Sequence, residues 1–304
     1  LPLISLDWLG CVLWSALLIE VVFLFNYGEY YNWWDGRPFR VVTFMVPVTF
    51  YFALQRMRHI RHPYIAPEAW LYKRLLPLLA VFALVELINS TPKILQNTFT
   101  SGVLHFGAMS TSVFYLVEWA GTICGCMFVM FWIKVLRQKF TRLLTVGFMA
   151  LLAYEVQMYL MITPGLDIES LFIPIFCRTF GVAIFFTALT IYLEELMPFQ
   201  HFFMGLTMVG FIRNGVVDTI CSGIYSFSLR HHIAENFARA MPYDATQVIL
   251  VSLKQLFGVT CIIATVVLLI FLVWDIQPVR DTLKRMPYWS VVGRLLRRQM
   301  SSGK

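Results

Sequence analysis

Glu86, Asn89, Lys93 and Asn97 interrupt the apolar run VFALVELINSTPKILQN with a carboxylate, two amides and an ammonium group at helical spacing. At about 100° per residue, Asn89 lies about 60° and Lys93 and Asn97 about 20° from Glu86, so all four make one polar stripe on a helix. Glu118, Glu155, Arg178, Arg213, Asn214 and Asp218 stand in equally apolar surroundings farther along. Groups of this kind cost about 2.5–3.5 kcal/mol each at the centre of a bilayer unless they face protein or water. They are the candidates for moving protons, touching a polar substrate or tying helices together.

The elements that must position them are membrane helices. The chain is 59% hydrophobic, 16% aromatic and only 13% charged, with mean hydropathy +0.71, outside the ordinary soluble range. A spanning helix needs roughly 20 mostly apolar residues. On that criterion eight segments qualify: about 7–27, 39–55, 75–96, 108–133, 143–162, 171–193, 202–228 and 256–274. The fold predicted is an all-α integral membrane protein with eight transmembrane helices. It divides into a two-helix hairpin (1–56), a basic loop (57–74), a six-helix block (75–275) and a basic tail (276–304). The polar stretch between the last two spans, 229–255, reads as outer-surface structure with a short amphipathic helix.

Sixteen of the 24 Lys and Arg residues fall in the loops at 56–74 and 134–142 and in the tail, which places both termini in the cytoplasm, because basic residues near span ends are retained there. The net charge of +7 is then topology and attraction to an anionic lipid bilayer, with no nucleic-acid partner implied. All six cysteines fall in proposed spans without the spacing of a zinc site or a disulfide framework, so six free thiols, no metal and no cofactor are expected.

Depth along a hairpin suggests partners. Glu86 and Glu118 are equidistant from position 102, the centre of their connection. Two carboxylates close together in low dielectric share a proton, which is what proton coupling requires; the other reading is that each bonds a neighbouring helix. Glu118 shares a face with Gly121 and Gly125, a small-xxx-small pair that lets another helix approach. Glu155 and Arg178 are matched about the loop TPGLDIES, giving an intramembrane ion pair, either structural or one that breaks when a substrate or proton arrives. Asn214 and Asp218 face one way at i and i+4 beside Arg213, a cluster placed to contact Arg178 or a substrate, and with Asn89 and Lys93 they are candidates for lining a cavity. Lys93 either bonds Glu86 or snorkels outward.

LDWLG opening an apolar helix, NYGEYYNWW after it, two helices and then six more are similar to the second half of a fourteen-span drug/proton antiporter of the major facilitator superfamily, the EmrB/QacA type. The resemblance covers essentially the whole chain. It implies that 7–55 is the central hairpin and 75–274 the C-terminal six-helix bundle. The inner loop WIKVLRQKFTRLL at 132–144 stands where that family repeats a loop motif, with neither its Gly nor its Asp. The family's activity, proton-coupled export of small amphipathic or cationic compounds, uses a site between two six-helix halves. On this reading the 304 residues are a fragment of a longer chain whose N-terminal half completes the site, or that half is a separate chain; the location is a bacterial inner membrane, and a periplasmic adaptor and an outer-membrane channel are partners. The alternative is a multipass membrane enzyme or scaffold; no His-box, Asp-rich or nucleophile motif supports an enzyme.

Overall fold

With no water to satisfy a backbone in hydrocarbon, long apolar segments become helices that bond themselves, and the computed structural model is almost wholly helical, with no strand, over its described residues, 7–28, 30–60, 63–65, 75–136, 140–197, 199–239 and 244–273. Helix α1 spans Trp8–Tyr27 and α2 Arg37–His59. Helix α3 begins as Leu75–Asn89 and continues through two wide turns, Pro92–Gln96 and Thr98–Val103. Helix α4 is Ala108–Phe131, α5 Phe140–Met161 and α6 Phe172–Leu196. Helices α7 (Phe199–Gly210) and α8 (Asp218–Arg239) are joined without a break by another wide turn, Phe211–Val217; α9 is Ala245–Val273.

Seven of these helical runs are long and apolar enough to cross a membrane, compatible with an integral membrane protein. The eighth, Phe199 to Arg239, has ample length; Arg213, Asn214 and Asp218 in its middle make it less apolar. One expectation changes. The described residues of 229–255 form no separate short helix: α8 runs on to Arg239 and α9 starts at Ala245. The basic tail 276–304, and Arg61, Lys73 and Arg74 of the loop 57–74, lie outside the described residues.

The hairpin is closed at one end by Asp7. Its Oδ1 accepts the Gly10 backbone N–H at 2.9 Å, capping α1, and also Arg56 Nε of α2 at 2.7 Å. Gly10 is needed here, because a Cβ would lie 2.1 Å from Asp7 Oδ2. Burial pushes the Asp7 pKa up, but the Gly10 N–H, Arg56 and the Tyr64 N–H outweigh it and hold the carboxyl below its usual value. Within the hairpin, Thr49 Oγ1 donates to Glu20 at 2.8 Å. The hairpin docks through α1 on α8 and the 211–217 turn. There Leu18 fills the space beside Gly215, and Phe25 that beside Gly223.

In the remaining helices α6 is central, packed on α4, α5 and α3. The small-residue face of α4 does what its spacing predicts. A Cβ on Gly121 would lie 2.9 Å from Phe176 O, and one on Gly125 2.7 Å from Ala183 Cβ, so the α4 and α6 backbones meet directly. Gly181 of α6 approaches Gly147 O of α5 in the same way. All six cysteines are free thiols. The outward faces of α4 and α9 carry Leu116, Ile123, Met127, Ile262, Leu269 and similar side chains.

Candidate functional site

The α3 stripe and the 211–217 turn face each other and trade charges. Arg213 Nε donates to Glu86 Oε2 at 2.7 Å, and Asn89 Nδ2 donates to the other oxygen of Glu86 at 3.2 Å. Two turns farther on, Lys93 Nζ donates to Asp218 Oδ2 at 2.5 Å. Arg213 also lies over the Phe186 ring at 4.9 Å, a cation–π contact that helps to hold its position.

The wide turn explains why these two residues reach α3 together. Arg213 and Asp218 are five apart, about 140° on an ordinary α-helix, but Phe211–Val217 closes its bonds over five residues instead of four, which brings positions i and i+5 toward one face. Asn214 is exposed and contributes no side-chain bond to Asp218. Of the cluster Arg213, Asn214 and Asp218, it is Arg213 and Asp218 that reach α3, and Arg213 meets Glu86, not Arg178.

The depth-matched pairs come out differently. Helix α3 runs on to Val103, which moves the centre of its turn toward α4 and leaves Glu118 nearer the turn than Glu86. Each of these carboxylates has its own arginine: Glu86 has Arg213, and Glu118 accepts from Arg178 Nη2. Arg178 is thus the partner of Glu118 and not of Glu155. Depth was matched for Glu155 and Arg178, but depth does not fix rotation, and the face of α5 nearest Arg178 presents the Tyr154 ring, 6.0 Å from the guanidinium carbon.

Glu155 is fully buried. Thr91 Oγ1 of α3 lies 2.8 Å from its Oε1 and Thr260 Oγ1 of α9 lies 2.7 Å from its Oε2. Next to it, Tyr154 Oη donates to Gln96 Oε1 at 2.9 Å. Sequence reasoning missed Thr91, Gln96, Tyr154 and Thr260. Pro92 was the available signal: it cannot donate a backbone bond, and the wide turns that follow it bring Thr91 and Gln96, five apart, to bear on α5.

Exposure along the stripe changes steadily. The Glu86 side chain is 3% exposed and that of Lys93 54%; Asn89 is half-buried and Asn97 exposed. The second half of α3 therefore presents a polar face at the surface of the chain, whereas α4 and α9 present hydrocarbon. Among the described residues no group of three or more His, Cys, Asp or Glu is placed to hold a metal. No family model matches the chain, and no curated protein matches it either.

Proposed function

We propose that the chain is the C-terminal part of a proton-coupled secondary transporter that exports small amphipathic or cationic compounds, of the fourteen-span major facilitator type that the sequence resembles. The observation that carries this reading is the exposed polar face of α3. Lys93 and Asn97 lie on a helix apolar enough to cross a membrane, yet they are open at the surface of the chain. Exposed amide and ammonium groups at that depth are costly against lipid and inexpensive against water or a second protein half. A facilitator's central cavity supplies both.

Coupling follows from the charge pairs. A proton and a cationic substrate compete for the same carboxylates, so loading one releases the other. Asp218, held by an exposed Lys93, is the acid nearest the open face; Glu86 lies deeper, on Arg213, and Glu118 on Arg178. Protonation of Glu86 or Glu118 would free its arginine and loosen the junction of two helices. The setting is a bacterial inner membrane with both termini in the cytoplasm. Partners are the N-terminal half and, by resemblance, a periplasmic adaptor and an outer-membrane channel.

The test is transport by the full-length protein in proteoliposomes under an imposed pH gradient. Gradient-driven efflux that falls to background in Glu86→Gln, with substrate binding retained, supports the reading. Absence of any gradient-driven transport by the unaltered protein would defeat it and favour a membrane scaffold.

A further inference from the structure

Glu155 sits at the junction of α3, α5 and α9 with a hydrogen-bond arithmetic that does not close if it is ionised. Thr91 Oγ1 is 2.8 Å from Glu155 Oε1 and 2.9 Å from the backbone carbonyl of Ile88. Thr260 Oγ1 is 2.7 Å from Glu155 Oε2 and 3.0 Å from the carbonyl of Phe257. A hydroxyl has one proton and donates to one acceptor at a time. Ile88 has the greater need of Thr91, because its normal helical donor would be the N–H of residue 92, and that residue is proline. The Phe257 carbonyl lies in the uninterrupted helix α9, four residues before Cys261, and has a helical donor of its own.

We infer that Glu155 is a proton-binding site, held as a neutral carboxylic acid that donates through Oε1 to Thr91 Oγ1. Every group is then satisfied with one added proton. Thr91 donates to the Ile88 carbonyl, Glu155 donates to Thr91, and Thr260 donates to Glu155 Oε2. Loss of that proton leaves two carboxylate oxygens that both demand donors. Thr91 must then turn from Ile88 to Glu155, and the carbonyl that Pro92 has already deprived of an amide is left uncovered. The proton on Glu155 is thereby tied to the backbone of α3 at its proline, where the helix widens toward Lys93 and Asn97.

The surroundings agree with a neutral acid. The charged group that acts on Glu155 is Arg178 of α6, which does not bond it and is instead paired with Glu118 of α4. The other titratable neighbours are uncharged: Tyr154 beside it on α5, Tyr225 of α8 and Cys261 of α9. No cation touches Glu155 among the described residues, and an isolated buried carboxylate is strongly disfavoured. Glu86 and Glu118, each on an arginine, are the contrast. The inference rests on the transporter reading only for the use made of the proton, not for the proton's presence.

Infrared spectroscopy of the purified full-length protein in lipid nanodiscs at neutral pH tests it, reading the C=O stretch of a protonated carboxyl, which lies apart from the amide and carboxylate bands and shifts in D2O. The expected result is such a band in the unaltered protein, lost in Glu155→Gln and retained in Glu86→Gln and Glu118→Gln. Thr91→Val should move the band to higher frequency by removing its acceptor, and Thr91→Ser should leave it in place, so the assignment does not depend on one variant folding. A spectrum without the band, or a band that survives in Glu155→Gln, overturns the inference. Loss of the band in Glu155→Gln together with no gradient-driven transport by the unaltered protein would retain the proton site and discard the transporter.

Discussion

Arg213 donates to Glu86 at 2.7 Å across 127 residues of sequence, joining the one acid of α3 to the wide turn before α8. The Lys93–Asp218 bond, two turns farther along α3, ties it to the first residue of α8. Helix α3 is therefore clamped by two ion pairs on one side and by the Thr91–Glu155–Thr260 bonds on another. Any motion of α3 must exchange partners in both sets.

The pairing of Arg178 can be read by a double-mutant cycle in detergent. Glu118→Gln leaves Arg178, whose side chain is 12% exposed, without its counter-charge, whereas Glu118 itself is 30% exposed. The single change should cost about 1–3 kcal/mol, less than for a fully buried pair. Thermal unfolding of the single and double variants should give a coupling energy of about 0.5–3 kcal/mol between Glu118 and Arg178, larger than that between Glu155 and Arg178. The reverse order would show that the observed pairing is wrong.

Contact between α4 and α6 depends on Gly125, where a Cβ would stand 2.7 Å from Ala183 Cβ and 2.8 Å from Phe180 O. Gly125→Leu should force the helices apart and lower the apparent melting temperature, at a cost of about 1–3 kcal/mol or more. Gly107→Ala, with open space around the new methyl and an ordinary φ of −68°, should change it little. Equal effects at the two positions would mean that the close approach is not formed.

The Asp7 carboxyl makes the hairpin sensitive to acid. Its pKa is depressed in the folded chain, so its contribution is present in full above the unfolded value of about 3.9 and is lost as pH falls through the folded value. Asp7→Asn keeps a good helix cap but loses the charge that faces Arg56. Melting in detergent should therefore fall more steeply below about pH 4 in the unaltered protein than in the variant. Parallel pH profiles would remove Asp7 from the account.

Much of this was legible in the sequence. The α3 stripe follows from four residues at helical spacing, and a close helix approach on α4 from Gly121 and Gly125, though not that α6 is the helix that approaches. The partners were less legible, for a physical reason. A fixed 100° per residue holds only in regular α-helix, and α3 and the α7–α8 junction both pass through wide turns. That is why Arg213 with Asp218, and Thr91 with Gln96, act together although neither pair has α-helical spacing. Threonine hydroxyls at Thr91 and Thr260 carry no signal of their own, because the same residues in a lipid-facing helix would simply bond their own backbone. The polar end of α8, RHHIAENFAR, has the composition of a segment outside the span, yet it continues the spanning helix without a break.

The most direct test of the central claim is whether the polar face of α3 meets water. In the full-length protein in its membrane, with all native cysteines replaced by alanine, the variants Lys93→Cys and Asn97→Cys are compared with Leu116→Cys and Ile123→Cys on the exposed apolar face of α4. The measurement is the rate of modification by a charged, membrane-impermeant thiol reagent. A water-lined passage predicts fast modification at 93 and 97 and slow modification at 116 and 123. Positions 93 and 97 that react no faster than 116 and 123 would contradict it.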